Sequence, residues 1–233
     1  MIRRIFVIVA IVLLGLVFAS VAIGYTEKHS LRSLAEGYVR LVPQELGAPN
    51  VITGILLTYR AFDTLGEVAV LFMVAASVGL VMGGERLQRE KSHDDGSEEA
   101  RQSSEIIQSG AQILVPLISI FAAYIIMNGH LSAGGGFQGG AVIASGVVLM
   151  LLAYPQYQPN VELLSITESA AGAFFVLVGI AGLIVAGGFL DNRILPLGQF
   201  GAFFSAGAIP VLSVLLGIKV GCELSVILDR FRP

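Results

Sequence analysis

The stretch "TYRAFDTLGEVAVLF", Thr58 to Phe72, sets Arg60, Asp63 and Glu67 at spacings of three and four. On a helix those spacings stack the three charges on one face. Two kinds of chemistry fit. Thr64-x-x-Glu67 has the spacing of a capping box, and Asp63 suits a helix N-terminus. Alternatively, Glu67 opens a run that meets no further charge until Glu85. A carboxylate one turn inside an apolar segment is a candidate for handling ions. Such a group holds a proton near neutral pH or yields it to a cation, which is the chemistry of proton or sodium relay.

A second pair, Lys219 and Glu223 in "GIKVGCELSVILDRF", has the i,i+4 spacing of an intrahelical ion pair. Lys219 either snorkels to a membrane edge or lies within the membrane with its proton affinity set by Glu223. Gly217 and Gly221 flank it as a small-xxx-small pair that lets another helix approach. Glu168, between Thr167 and Ser169, stands at the apparent start of an apolar span, as a helix cap or a further ion-handling group. His130 follows Asn128-Gly129 near the end of a span and is a candidate for titration at an ion entrance or for a plain loop hydrogen bond. No second His, Cys or carboxylate sits near it, so no metal site is expected.

"NGHLSAGGGFQGG", 128–140, contains GxGxxG letter for letter. A dinucleotide loop needs a strand before it, an amphipathic helix after it and an acid about twenty residues on. Apolar spans flank this one, and about twenty residues past Gly139 comes Asn160. The context speaks against a nucleotide. Gly135/Gly139 and Gly136/Gly140 form overlapping GxxxG pairs, a helix-packing signal. Glycine-rich backbone at membrane depth is tolerated only against protein or beside a wet cavity. Gly134, Gly135, Gly136, Gly139 and Gly140 therefore read as a packing element near an ion route.

The elements that must hold these residues follow from composition. Of 233 residues, 55% are hydrophobic and 13% charged, about half the charge of a soluble domain, and the mean hydropathy is +0.82. The apolar residues fall in blocks. An all-α, polytopic membrane protein with about six transmembrane helices is expected, with the lipid bilayer as its surroundings. A net charge of -3 gives no reason to expect a nucleic-acid partner, and a single cysteine, Cys222, excludes an intrachain disulfide. Expected spans are 5–24, 62–83, 111–127, 134–154, 170–190 and a long block from Phe200 to about Leu228, kinked at Pro210. The fourth reaches crossing length only if Gly134–Gly140 begin it. The first reads as a retained helix, although Ala19-Ser20-Val21-Ala22 resembles a secretory cleavage site. Residues 25–60 read as an extramembrane loop with a short helix near 31–42. "ERLQREKSHDDGSEEARQSSE" reads as a charged cytoplasmic linker over 85–108, dividing a two-helix part, 1–84, from a four-helix part, 109–233. With the N-terminus inside, eight Lys and Arg fall on the cytoplasmic side and five outside. Both termini are thus expected in the cytoplasm, with the chain in the cell membrane.

"NGHLSAGGGFQGGAVIASGVVLMLLAY" and "PVLSVLLGIKVGCELSVIL" resemble the MnhB (MrpB) component of the Mrp-type multisubunit sodium/proton antiporters, a likeness covering 110–233. "TGILLTYRAFDTLGEVAVLF" resembles the C-terminal end of the large MrpA component. In membrane-bound hydrogenases and sulfur reductases, that region is a small separate subunit. The resemblance implies a fusion of two antiporter-module subunits, itself non-catalytic and without a cofactor. It would help form a path for sodium or protons, the transported ions. It implies other Mrp-like antiporter subunits as partners, and a hydrogenase-like or sulfur reductase arm supplying any redox chemistry. By motif match it nominates Asp63 and Glu67 first, then His130, Lys219 and Glu223. A component of a standalone antiporter, a purely structural packing subunit and an autonomous transporter are the alternatives. No internal repeat of the secondary-transporter kind supports the last.

Overall fold

In the computed structural model the described residues are 2–26, 30–92 and 103–231, with side chains for 4–26, 30–82 and 103–231. The chain divides into two compact units, Met1–Gly37 and Tyr38–Pro233. In the first, α1 (Ile2–Gly24) is a single apolar helix. An uncharged stretch in lipid has no other way to satisfy its backbone, and each described side chain of α1 is exposed. The short α2 (Ser33–Leu41) begins at the end of this unit.

The second unit holds α3 (Val51–Gly54), α4 (Ala61–Ser92), α5 (Glu105–Met127), α6 (Gly136–Ala153), α7 (Val161–Val185) and α8 (Ile209–Arg230). Among the described residues, six helices are long and apolar enough to cross a membrane: α1 and α4 to α8. The protein is therefore an all-α, multi-pass membrane protein. α8 lies at the centre, packed against α4, α6 and α7, and α5 lies against α6.

Glycine explains the closest of these contacts. A Cβ on Gly136 would collide with the Ser213 carbonyl oxygen and stand 2.9 Å from the Gly217 nitrogen. One on Gly140 would stand 2.8 Å from the Gly217 oxygen and 3.0 Å from the Gly221 nitrogen. Two GxxxG pairs, one on α6 and one on α8, thus bring the two backbones into contact, as the small-residue rule expects. Gly139 turns the other way, toward Ile126 and the Ala122 oxygen of α5. Gly134 and Gly135 lie outside the helix. Gly135 has φ +141°, a conformation that only glycine adopts freely, and it is the residue from which α6 starts.

Several elements differ from the sequence expectation. Residues 42–60 are not a solvated loop. Val42, Leu46, Ala48 and Leu57 are buried in one cluster with Leu190, Ile209, Leu212 and Leu216. Two π-helical turns, Val42–Leu46 and Ile55–Tyr59, flank α3 there. Asn50 caps α3 and donates from Nδ2 to the backbone oxygens of Gly129 and Ser132, both at 2.7 Å. Asn192, fully buried, donates to the Leu46 oxygen at 2.9 Å and the Ala206 oxygen at 3.0 Å. Segments 42–60, 128–135 and 186–208 are thereby tied together at one end of the bundle.

The final apolar block is not one kinked helix. Positive φ at Gly198, Gly201, Ala206 and Gly207 forbids a continuous helix before Ile209. Pro210 falls in the first turn of α8, where its missing N–H breaks no hydrogen bond. The fifth span starts at Val161, where Asn160 accepts from the Leu163 N–H at 2.9 Å, and not at Ala170. The capping box at Thr64 does not form, because α4 has already begun at Ala61. The Thr64 hydroxyl donates instead to the Leu56 oxygen at 2.7 Å. Of the expected linker, 85–92 continue α4 and α5 begins at Glu105, while 93–102 lie outside the described residues.

Candidate ion-transfer site among the membrane helices

The middle of α8 places Lys219 inside the protein, 6% exposed. Its Nζ lies 3.1 Å from Glu223 Oε2, one turn along the same helix, and 3.7 Å from Glu168 Oε1 on α7. Glu223 is fully buried and Glu168 is 6% exposed. The lysine therefore does not snorkel to an edge. Its stem lies over Gly172, one turn on from Glu168, where an added Cβ would come within 3.4 Å of Lys219 Cδ. The ring of Phe72, from α4, faces Nζ with its centroid at 5.7 Å, within cation–π range. Three helices thus close around one ammonium group and two carboxyls.

Each part has a local cause. The i,i+4 spacing aligns Lys219 with Glu223. Small residues at 217 and 221 draw α6 against the adjoining face of α8. Glu168 reaches the cluster because α7 starts two turns before it. Toward the C-terminus of α8, Arg230 donates from Nη1 to the Ala75 oxygen of α4 at 2.8 Å, and a Cβ on Gly79 would collide with its guanidinium. This clasp holds α4 to α8 one side of the cluster.

The remaining sequence candidates lie elsewhere. Asp63 pairs with Arg60 at 2.5 Å in an exposed bridge at the start of α4. Glu67 is exposed on the second unit. It lines a cleft of about 390 Å³ together with Thr53, Thr64, Gly135, Gln138 and Leu216. Leu216 is one turn from Lys219, so the cleft approaches the cluster from the end of the bundle that carries segments 42–60 and 128–135. Gln138 folds back so that its Oε1 would lie 2.9 Å from a Cβ on Gly135.

His130 is not at an open entrance. It is fully buried, and its Nε2 donates to the Phe203 oxygen at 3.1 Å. Nδ1 has no partner among the described residues. Burial holds the imidazole below its ordinary value of 6.5, against the carbonyls of Ala202, Phe203 and Met127, which favour the charged form. A depressed folded value means the folded state resists a proton that the unfolded chain accepts. The stabilisation is complete above about pH 6.5 and is lost as pH falls toward the folded value. The thermal midpoint is expected to fall more between pH 7 and pH 5 in the wild type than in His130→Gln. Equal slopes in a thermal-shift titration would refute this.

Sequence reasoning misses Phe72, Gly172, Asn192 and the Arg230 clasp. Phe72 and Gly172 carry no local signal, since their roles exist only across helices. Arg230 reads as an ordinary positive-inside residue. Asn192, a polar side chain in an apolar neighbourhood, is the one signal available.

Residues 106–226 match the domain related to the MnhB subunit of Na+/H+ antiporter, and residues 2–93 match the MbhE component of MBH. The fold superposes on a chain of the membrane-bound sulfane sulfur reductase, an archaeal respiratory membrane complex. That match has a TM-score of 0.79 and 32% identity, covering 100% of this chain and 99% of that one. An uncharacterized protein of Methanocaldococcus jannaschii is 30% identical over 76% of this chain and 74% of its own. A probable A/B component of a K+/H+ antiporter from Rhizobium meliloti is 27% identical over 61% of this chain, which spans only 17% of that protein. The chain belongs to the family of domains related to the MnhB subunit of Na+/H+ antiporters, carried here behind a segment matching MbhE.

Proposed function

We propose that this chain is a non-catalytic membrane subunit of an Mrp-like cation/proton antiporter module within a redox-driven respiratory complex of the sulfur reductase or hydrogenase type. It helps form the transmembrane path for Na+ or H+, needs no cofactor of its own, and has both termini in the cytoplasm. Other antiporter subunits are its membrane partners, and a separate redox arm supplies the driving reaction. The observation that carries the path is the cluster in the middle of α8. A lysine buried between two carboxyls at membrane depth is costly, and such groups mark ion routes. Glu67, in the cleft that reaches toward Leu216, is the entry-side group in this reading. Asp63 stands beside the cleft at the surface.

The test is Glu168→Gln in the assembled complex, reconstituted in vesicles. Sodium-dependent proton transport is expected to fall at least about tenfold, the loss that one missing charge of about 1.4 kcal/mol produces, with subunit composition unchanged. Full transport in an intact complex would refute the path and leave a packing subunit.

A further inference from the structure

The cluster sets two carboxyls against one ammonium group. We infer that, at neutral pH in the resting protein, Glu168 and Glu223 hold one proton between them. This deepens the pathway reading and rests on the same three side chains, but it concerns their charge and not their traffic.

Lys219 is a single cation facing two carboxyls, at 3.1 Å and 3.7 Å. Glu223 is fully buried, and its Oε1 meets no hydrogen-bond donor among the described residues. With all three groups ionised the cluster would carry one uncompensated negative charge away from water. That is the arrangement buried charges avoid, usually by taking up a proton. Among the residues whose side chains are described, no neighbouring element supplies the missing positive charge. α6 has no ionisable side chain, and α5 has only Glu105 at its start and Tyr124 near its end, neither of them a cation. α4 presents Phe72, while its Asp63 and Glu67 are exposed. α7 adds only Glu162, at its first turn. On α8, Cys222 lies in electrostatic reach of Glu168 and brings no cation. Arg230 also reaches Glu168 electrostatically, but it is three turns beyond Lys219, bound to the Ala75 oxygen, with Asp229 beside it in the chain. One proton on either carboxyl, with Lys219 charged, brings the sum to zero.

Removing either carboxylate therefore removes the proton from the other. In Glu168→Gln, Lys219 and Glu223 match one to one and both ionise. The experiment uses the whole complex in native membranes at pH 7 with dicyclohexylcarbodiimide, which reacts with protonated carboxyls in apolar surroundings, and locates the adduct by peptide mass spectrometry. The infrared difference between wild type and Glu168→Gln is recorded alongside. Wild type is expected to be labelled at Glu223 or Glu168. Labelling of Glu223 is expected to fall about tenfold or more in Glu168→Gln, the change that one pKa unit corresponds to, and Glu168 behaves likewise in Glu223→Gln. The infrared difference is expected to show loss of one protonated-carboxyl carbonyl band. Labelling of Glu223 that persists in Glu168→Gln overturns the inference, as does a wild type with neither label nor band. Loss of label with transport intact would uphold the proton and refute the path. Loss of transport with label unchanged would do the reverse.

Discussion

Lys219→Met is expected to reduce sodium-coupled proton transport by the assembled complex about a hundredfold. The lysine is the only cation described in the middle of the bundle, and on the proposed path an ion entering from the Glu67 cleft passes its level. A charge at the bilayer centre costs about 2.5–3.5 kcal/mol on the insertion scale. Without the ammonium an ionised Glu168 or Glu223 bears that cost unpaired, and at about 1.4 kcal/mol per factor of ten its ionised, ion-accepting form becomes about a hundredfold scarcer. Methionine keeps the length of the stem over Gly172, so packing against α7 is retained. The measurement is pH-gradient dissipation on sodium addition in proteoliposomes, with subunit content checked by gel. A variant that assembles and retains more than about a third of wild-type transport would remove Lys219 from the path.

Gly140→Leu is expected to abolish assembly. The first carbon alone would sit 2.8 Å from both the Gly217 oxygen and the Val220 Cβ, so α6 and α8 must move apart by more than a side-chain adjustment. Overpacking a close contact costs about 1–3 kcal/mol even where neighbours can give, and here two neighbours, the Gly217 oxygen and the Gly221 nitrogen, are backbone. Separating the helices also withdraws the small-residue contact that stands in for a hydrophobic force between helices in lipid. The control is Gly110→Leu on α5, where nothing lies within 4 Å of an added Cβ. The recovery of complex in mild detergent is expected to be near zero for the first and unchanged for the second. Equal recovery of both would mean the α6–α8 contact is dispensable.

Much of this arrangement is legible in the sequence, and the reasons are physical. Block hydropathy locates helices in lipid because backbone satisfaction leaves no alternative, and the six expected spans correspond to the six observed. GxxxG spacing marks close approach on any helix, and Lys219–Glu223 is a local pair. What stays hidden depends on partners. Glu168 reads as a helix start because Val161–Thr167 follows a proline-rich turn and mixes polar with apolar residues. Only the Asn160 cap shows that α7 begins there. Residues 195–208 have helical hydropathy, yet four positive φ angles override it. Segment 42–60 has loop composition, but its apolar members meet α8 in a shared core that no single-segment reading reveals. Ranking Glu67 and Asp63 ahead of Glu168 follows the motif. The geometry instead gathers Glu168, Lys219 and Glu223.

The ring of Phe72 belongs to the part of the chain that matches MbhE, and the lysine it covers belongs to the part that matches MnhB. The cluster is therefore built across the seam between two parts of the chain that match separate families. Joining them in one polypeptide fixes their stoichiometry: each lysine is made with its own lid, on the same ribosome, in the same molecule. A neighbour's copy cannot be borrowed and none is left over. One polypeptide thus carries both sides of the cluster.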